Sequence, residues 1–286
     1  MEFLNKIDKQ QVQKITLIVI AALTILALVL LLVIVIASVN PASPFGVAGG
    51  IDKTIDYVVK DSDLATGSLI LADYDHTYNY AFDASELEVL GTYRDANLEK
   101  DAEGKALYKY YMNAQLQMKL TKEAAAANHA MMVAAEKAVG KDDLLISYTY
   151  GYNEADKQEY NTAALIFLTN YENGALDKAY ASWLDDHAAE YGFVESFENG
   201  YRYVGKVHAK VISGDKNIKS LADYIAYLKE NTNVGKTIEV ELDGATYKVY
   251  YVSCNAGDTI KVPADTANTT LSGTNEGGII VTVKVK

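Results

Sequence analysis

The stretch Ile238-Glu239-Val240-Glu241-Leu242-Asp243-Gly244-Ala245-Thr246-Tyr247-Lys248-Val249-Tyr250-Tyr251 decides the fold class. Apolar residues alternate at Ile238, Val240 and Leu242, Asp243-Gly244 interrupts them, and Tyr247, Val249 and Tyr251 resume the alternation. A period of two marks strands with one buried face, and Asp-Gly is a favoured two-residue hairpin turn. Downstream, Ile279 to Val285 alternates again and predicts a final strand. Upstream the period becomes helical. Ser220 with Asp223 opens a helix that runs to about Asn231. Leu176, Tyr180, Trp183, Leu184, Ala188 and Tyr191 fall on one helical stripe, which Gly192 stops. Between Glu103 and Gly140 the Ala, Lys, Glu, Leu and Met content predicts two helices broken near Thr121, the second capped by Thr121 and ended by Gly140. Leu69-Ile70-Leu71 and Leu144-Leu145-Ile146 are short apolar runs that predict strands. Helices in the middle with strands around them make an α+β fold rather than a doubly wound sheet.

Ahead of this region, Ile15 to Val39 is an uncharged run of 25 residues. As a helix it measures about 37 Å, enough to cross a ~30 Å hydrocarbon core with tilt. It exceeds the apolar stretch of a cleaved signal peptide. Lys6, Lys9 and Lys14 precede it and the first charge after it is Asp52, so the N-terminus is expected inside and the rest outside. The whole chain carries 38 acidic against 26 basic residues, a net charge of -12. That sign argues against binding nucleic acid or another polyanion. A single cysteine, Cys254, excludes an internal disulfide and multi-cysteine metal sites. Tyrosine is unusually common, 22 residues against 6 Phe and 1 Trp; most are expected to pack in the core or across strands.

Tyr201-Arg202-Tyr203-Val204-Gly205-Lys206, then His208-Ala209-Lys210 and Ser220-Leu221-Ala222-Asp223-Tyr224, resembles the closing motif of VanY-type D-alanyl-D-alanine carboxypeptidases. Trp183-Leu184 with Tyr191-Gly192-Phe193 resembles the helix and turn before that motif. Thr66-Gly67-Ser68-Leu69-Ile70-Leu71 with Asp75-His76 resembles the family's N-terminal strand. Leu271-Ser272-Gly273 and Ile280-Val281-Thr282-Val283 resemble a β tail found on some relatives. The resemblance implies a small α+β zinc peptidase with an antiparallel sheet, acting on the terminal D-alanine of peptidoglycan stem peptides. The expected organisation is a cytoplasmic N-terminus (1–14), a transmembrane helix (15–39), a linker (40–59), a VanY-like domain (60–235) and a β-rich C-terminal extension (236–286).

The resemblance also implies two histidines and an aspartate on zinc, a glutamate as general base three residues before the second histidine, and an arginine in Ser-x-Tyr-Arg that grips the substrate. This sequence departs from the pattern at each position. Tyr160 stands at the first histidine, Phe167 at the aspartate, Gly200 at the second histidine and Phe197 at the base. Ser147-Tyr148-Thr149-Tyr150 keeps the serine, but Tyr150 replaces the arginine. A one-position slip offers Glu198 as a base but no histidine. His76, His129, His187 and His208 show no ligand spacing and are expected at the surface or packed.

The chain is therefore expected to take no cofactor and to be inactive, with Ser147, Tyr150, Tyr201, Arg202 and Tyr203 as candidate cleft residues. Its expected partners are a stem peptide or a cell-envelope protein, with the membrane reached through the N-terminal helix. An active peptidase with other metal ligands and a purely structural surface domain are the alternative readings.

Overall fold

The computed structural model describes residue 45 and residues 47–286 except 106–110, 116, 153–157 and 173, together with Val19. Pro44–Lys286 forms one unit. Its helices are α1 (Asp61–Ala65), α2 (Leu90–Ala96), α3 (Lys122–Val139), α4 (Lys178–His187), α5 (Lys206–Gly214) and α6 (Leu221–Asn231).

The hairpin forms where the alternation places it. Asp243 and Gly244 take φ of 52° and 75°, as a primed two-residue turn requires. The turn sets Ile238 opposite Val249 and Val240 opposite Tyr247. These strands belong to an antiparallel sheet in the order β1 (Val47–Gly49), β10 (Lys236–Leu242), β11 (Ala245–Ser253), β14 (Gly278–Lys284) and β13 (Thr269–Gly273). One face, with Ile238, Val240, Val249 and Ile280, packs on Val207 and Val211 of α5 and Ile225 and Leu228 of α6. The other face buries Tyr250, Ile279 and Val281 with Ile260 and Val262 of β12 (Thr259–Pro263), which pairs with β2 (Thr54–Val58).

A second sheet has the order β4 (Met112–Asn113), β6 (Leu144–Tyr148), β7 (Leu165–Asn170), β9 (Gly200–Tyr203) and β8 (Phe193–Phe197). It is antiparallel except for the parallel pair β4–β6. Ile146, Ile166, Leu168 and Tyr201 on one face meet Met131, Met132 and Ala135 of α3 and Leu184 of α4. The opposite face is free of these helices and carries the candidate site.

The α+β class holds, and several elements differ from expectation. Residues 111–120 contribute β4 and part of β5 (Lys119–Thr121), not a helix. β5 pairs with β3 (Leu87–Val89), so a non-local ladder overrides helix propensity. Leu69-Ile70-Leu71 is buried but lies in no ladder; Leu69 N–H donates to Ser272 Oγ (3.0 Å) and Leu71 N–H to the Thr274 carbonyl (2.9 Å). The expected linker over 40–59 contains β1 and β2. The core formed by α5, α6, β10 and β11 runs across the expected boundary at residue 236. The expected span at 15–39 lies outside the described residues except for Val19, and among the described residues no helix is long and apolar enough to cross a membrane.

Candidate functional site

Four positions distant in sequence meet on the helix-free face of the second sheet. Tyr160 lies in the 3-10 turn Gln158–Thr162, Phe167 in β7, Phe197 at the end of β8 and Gly200 at the start of β9. Gly200 is the cross-strand partner of both Phe167 and Phe197. The Phe167 and Phe197 rings stack with centroids 6.3 Å apart, and Tyr160 approaches Phe197 edge-on at 6.4 Å. Tyr148 stacks on Phe167 at 5.7 Å and on Tyr152 at 3.9 Å, and Tyr152 meets Tyr160 at 5.2 Å. The result is one cluster of five aromatic rings, with Tyr160 buried and Tyr148 37% exposed. The Phe197 ring covers Gly200 so closely that a Cβ there would stand 2.4 Å from it.

Local backbone geometry places these rings. β8 and β9 are joined through Glu198-Asn199, where Asn199 has φ of 62° and donates its N–H to the Glu195 carboxylate (3.0 Å). Ala163, after the 3-10 turn, is left-handed at φ 51°, and its carbonyl accepts the Thr121 N–H at 2.8 Å. A β-bulge between Ile146 and Tyr148 shifts the alternation and pairs Tyr148 with Phe167. Beside the cluster opens a cavity of about 310 Å³, lined by Leu71, Asp73, Glu159, Ser196, Phe197 and Ser220.

The other candidate residues divide between the two faces of the sheet. Ser147 Oγ is 2.6 Å from Thr169 Oγ1. The Tyr150 ring meets Phe82 edge-on at 5.4 Å, away from the five-ring cluster. Tyr201 and Tyr203 turn into the helical core instead, Tyr201 buried and Tyr203 half-buried. Between them Arg202 is 1% exposed. Its Nη2 donates to the carbonyls of Ser68 (3.2 Å) and Ile70 (3.1 Å), while Nε and Nη1 have no hydrogen-bond partner among the described residues. Burial pushes this guanidinium down, against the stabilising charge of Glu159. Glu198 is exposed, and Glu159 accepts the Ser196 hydroxyl at 2.7 Å.

The histidines sit apart from the cluster. His76 bridges Asp73 (2.7 Å) and Glu276 (2.6 Å); burial opposes its charge, but these hydrogen bonds raise its pKa overall. His129 contacts the Tyr111 hydroxyl and His187 contacts Glu190. His208 lies between the Tyr224 hydroxyl (2.9 Å) and Thr282 Oγ1 (3.2 Å), and burial lowers its pKa to about 4. Cys254 is buried, and burial pushes its thiol up, away from nucleophilic use.

No family profile matches the chain. A D-alanyl-D-alanine carboxypeptidase of Enterococcus faecium is 32% identical over 114 residues, 35% of this chain and 35% of that protein. The chain therefore matches about a third of its curated relative's length. The vancomycin-resistance D,D-dipeptidase VanXYg, solved in complex with a D-Ala-D-Ala phosphinate analogue, matches with a TM-score of 0.59 at 15% identity, over 82% of this chain and 99% of that one. A mutant D,D-pentapeptidase VanY from a VanB-type resistance cassette, solved in complex with Zn(II), matches with a TM-score of 0.33 at 15% identity, over 55% of this chain and 98% of that one.

The expectation of no cofactor is corrected here: a solved protein similar to this chain, VanY, was obtained in complex with Zn(II). The cluster itself does not fit that ion. Gly200 offers no donor and is capped by the Phe197 ring, Phe167 offers none, and Tyr160 offers only a phenol. Among the described residues no group of three His, Cys, Asp or Glu side chains is arranged to hold a metal. A zinc ion bound by this chain would need donors other than these four positions. In a shared stretch of sequence and in its fold, the chain is similar to D-alanyl-D-alanine peptidases of the VanY and VanXY type.

Proposed function

We propose that the chain is a membrane-anchored VanY-type homologue that binds a peptidoglycan stem peptide without cleaving it. The observation that carries this reading is the convergence of Tyr160, Phe167, Phe197 and Gly200 into one aromatic cluster, the four residues that the sequence resemblance sets at the zinc and base positions. Rings replace the donors that would polarise a peptide carbonyl and activate water. Without a base, proton abstraction loses about 10²–10⁴ in rate. Partly exposed rings carrying hydroxyls, with a cavity beside them, suit a peptide that offers both apolar and polar groups. Tyr150 gives up the bidentate carboxylate grip of an arginine, so affinity is expected to come from ring contacts.

The test uses the full chain in detergent micelles with a stem pentapeptide, with and without added zinc. No D-alanine is expected in either condition, while muropeptide should perturb the tyrosine fluorescence saturably. Zinc-dependent D-alanine release that a chelator abolishes would overturn the inactive reading; an unchanged tyrosine signal would overturn the binding one. The anchor in this proposal is the run from Ile15 to Val39, with the domain on the outer side.

A further inference from the structure

The turn Asp73–His76 is joined to the hairpin between β13 and β14 through one imidazole. His76 Nδ1 lies 2.7 Å from Asp73 Oδ1, and His76 Nε2 lies 2.6 Å from Glu276 Oε1. Both partners are carboxylate oxygens, so both ring nitrogens must donate. A neutral imidazole has one N–H and one lone pair, and its lone pair would face a carboxylate. The geometry therefore belongs to the imidazolium. Burial works against that charge, but the hydrogen bonds to Asp73 and Glu276 outweigh it and the pKa is raised.

The two links are unequal. Asp73 Oδ1 also accepts the N–H groups of Asp75 and His76, both at 2.9 Å, and the Asp73 N–H donates to the His76 carbonyl at 3.2 Å. The turn thus closes on itself without the ring. Glu276 is held from its own side: its carbonyl accepts the Tyr251 hydroxyl of β11 (3.0 Å), and Lys229 of α6 stands 3.5 Å from Oε2. On either side of the turn, the Leu71 N–H donates to the Thr274 carbonyl (2.9 Å) and Asn275 Nδ2 to the Thr77 carbonyl (3.3 Å). Between those anchors, among the described residues, the His76–Glu276 contact is the hydrogen bond that joins residues 73–76 to the hairpin. The charged groups around the ring are Asp73 and Asp75 of its own turn and Glu276 of the hairpin, with Lys229 and Tyr251 behind Glu276. Tyr74, in the same turn, is exposed. Asp73 and Leu71 also line the cavity of about 310 Å³ beside the aromatic cluster.

We propose that His76 is a pH-operated latch: protonated, it clamps the Asp73 wall of that cavity to the β13–β14 hairpin, and on losing its proton it releases the wall. The neutral ring keeps Nδ1–H on Asp73, inside the turn, and turns the Nε2 lone pair against Glu276, so the bond that breaks is the one between the two segments. Because the folded pKa is raised, the clamp is fully present below the ordinary value of 6.5 and is lost as pH rises through the folded value.

The experiment is hydrogen exchange of the full chain in detergent micelles over a pH series, read by mass spectrometry at two places. Exchange at the imidazole C2–H gives the pKa of His76. Exchange at the backbone amides of residues 73–77, corrected for the intrinsic rate, gives the hold on the turn. His76 should titrate above 6.5, and amide protection should fall by about tenfold or more across that titration, the effect of losing one charge-assisted hydrogen bond. His76→Gln should abolish this step. Glu276→Gln should lower the His76 pKa and leave the turn poorly protected at every pH. The proposal is overturned if His76 titrates at or below 6.5, if the step in protection survives in His76→Gln, or if Glu276→Gln leaves the His76 titration where it was. The measurement is made on the chain alone, so its outcome is separate from whether the cavity takes a stem peptide.

Discussion

Phe197 occupies the space that a side chain at position 200 would need. Gly200→Ala alone should therefore overpack the cluster and destabilise the protein by about 1–3 kcal/mol. In a Phe197→Ala background the same change should be nearly neutral, because the ring is gone. A double-mutant cycle by urea denaturation measures the coupling; equal losses in both backgrounds would show that the ring does not fill that space. The sequence makes the chemistry of these positions legible, since Gly and Phe carry no metal donor in any conformation. It does not reveal the roles of Tyr148 and Tyr152. The bulge between Ile146 and Tyr148 decides which way Tyr148 faces, and no residue type announces that bulge. Tyr201 and Tyr203 show the complementary case, in which strand alternation turns both into the core while Gly200 and Arg202 share the other face.

Elements were legible where capping chemistry marks their ends. Ser220 Oγ accepts the Asp223 N–H at 3.1 Å and starts α6, while left-handed Gly140 and Gly192 close α3 and the turn after α4. They were illegible where partners distant in sequence decide the conformation. Residues 112–113 and 119–121 become strands through β6 and β3, and Leu69 to Leu71 is held extended by Ser272 and Thr274. The proposed N-terminal span belongs to this scale as well. Protease added to intact spheroplasts should digest the part after Asn40 and leave a short membrane-embedded fragment. Protection of that part, or a soluble form starting near residue 40, would defeat the anchor.

At the scale of the whole molecule, His208 ties α5 to α6 through Tyr224 and to β14 through Thr282. Its pKa falls from 6.5 to about 4 on folding because burial disfavours the charged ring. A lowered pKa means that the stability is fully present above pH 6.5 and is lost as pH falls toward 4. The loss amounts to about 3 kcal/mol. Urea denaturation between pH 7 and 4 should show this decline, and His208→Gln should flatten it; an identical slope in the variant would assign the effect to other groups. The proposed attachment of the domain has a mechanical consequence. Any pull on the chain ahead of Phe45 first meets Phe45, whose carbonyl accepts the Tyr227 hydroxyl at 3.4 Å and which packs on the core, and then β1, a three-residue strand at the edge of its sheet. It can peel Val47 from Ile238 and Ala48 from Thr237 one pair at a time. Then it meets Gly49 and Gly50, whose carbonyls accept Thr237 Oγ1 and Lys248 Nζ, and Ile51, whose N–H is bound to Val234. The edge strand thus acts as a short slack, and load passes to β10 and β11 only after it has been taken up.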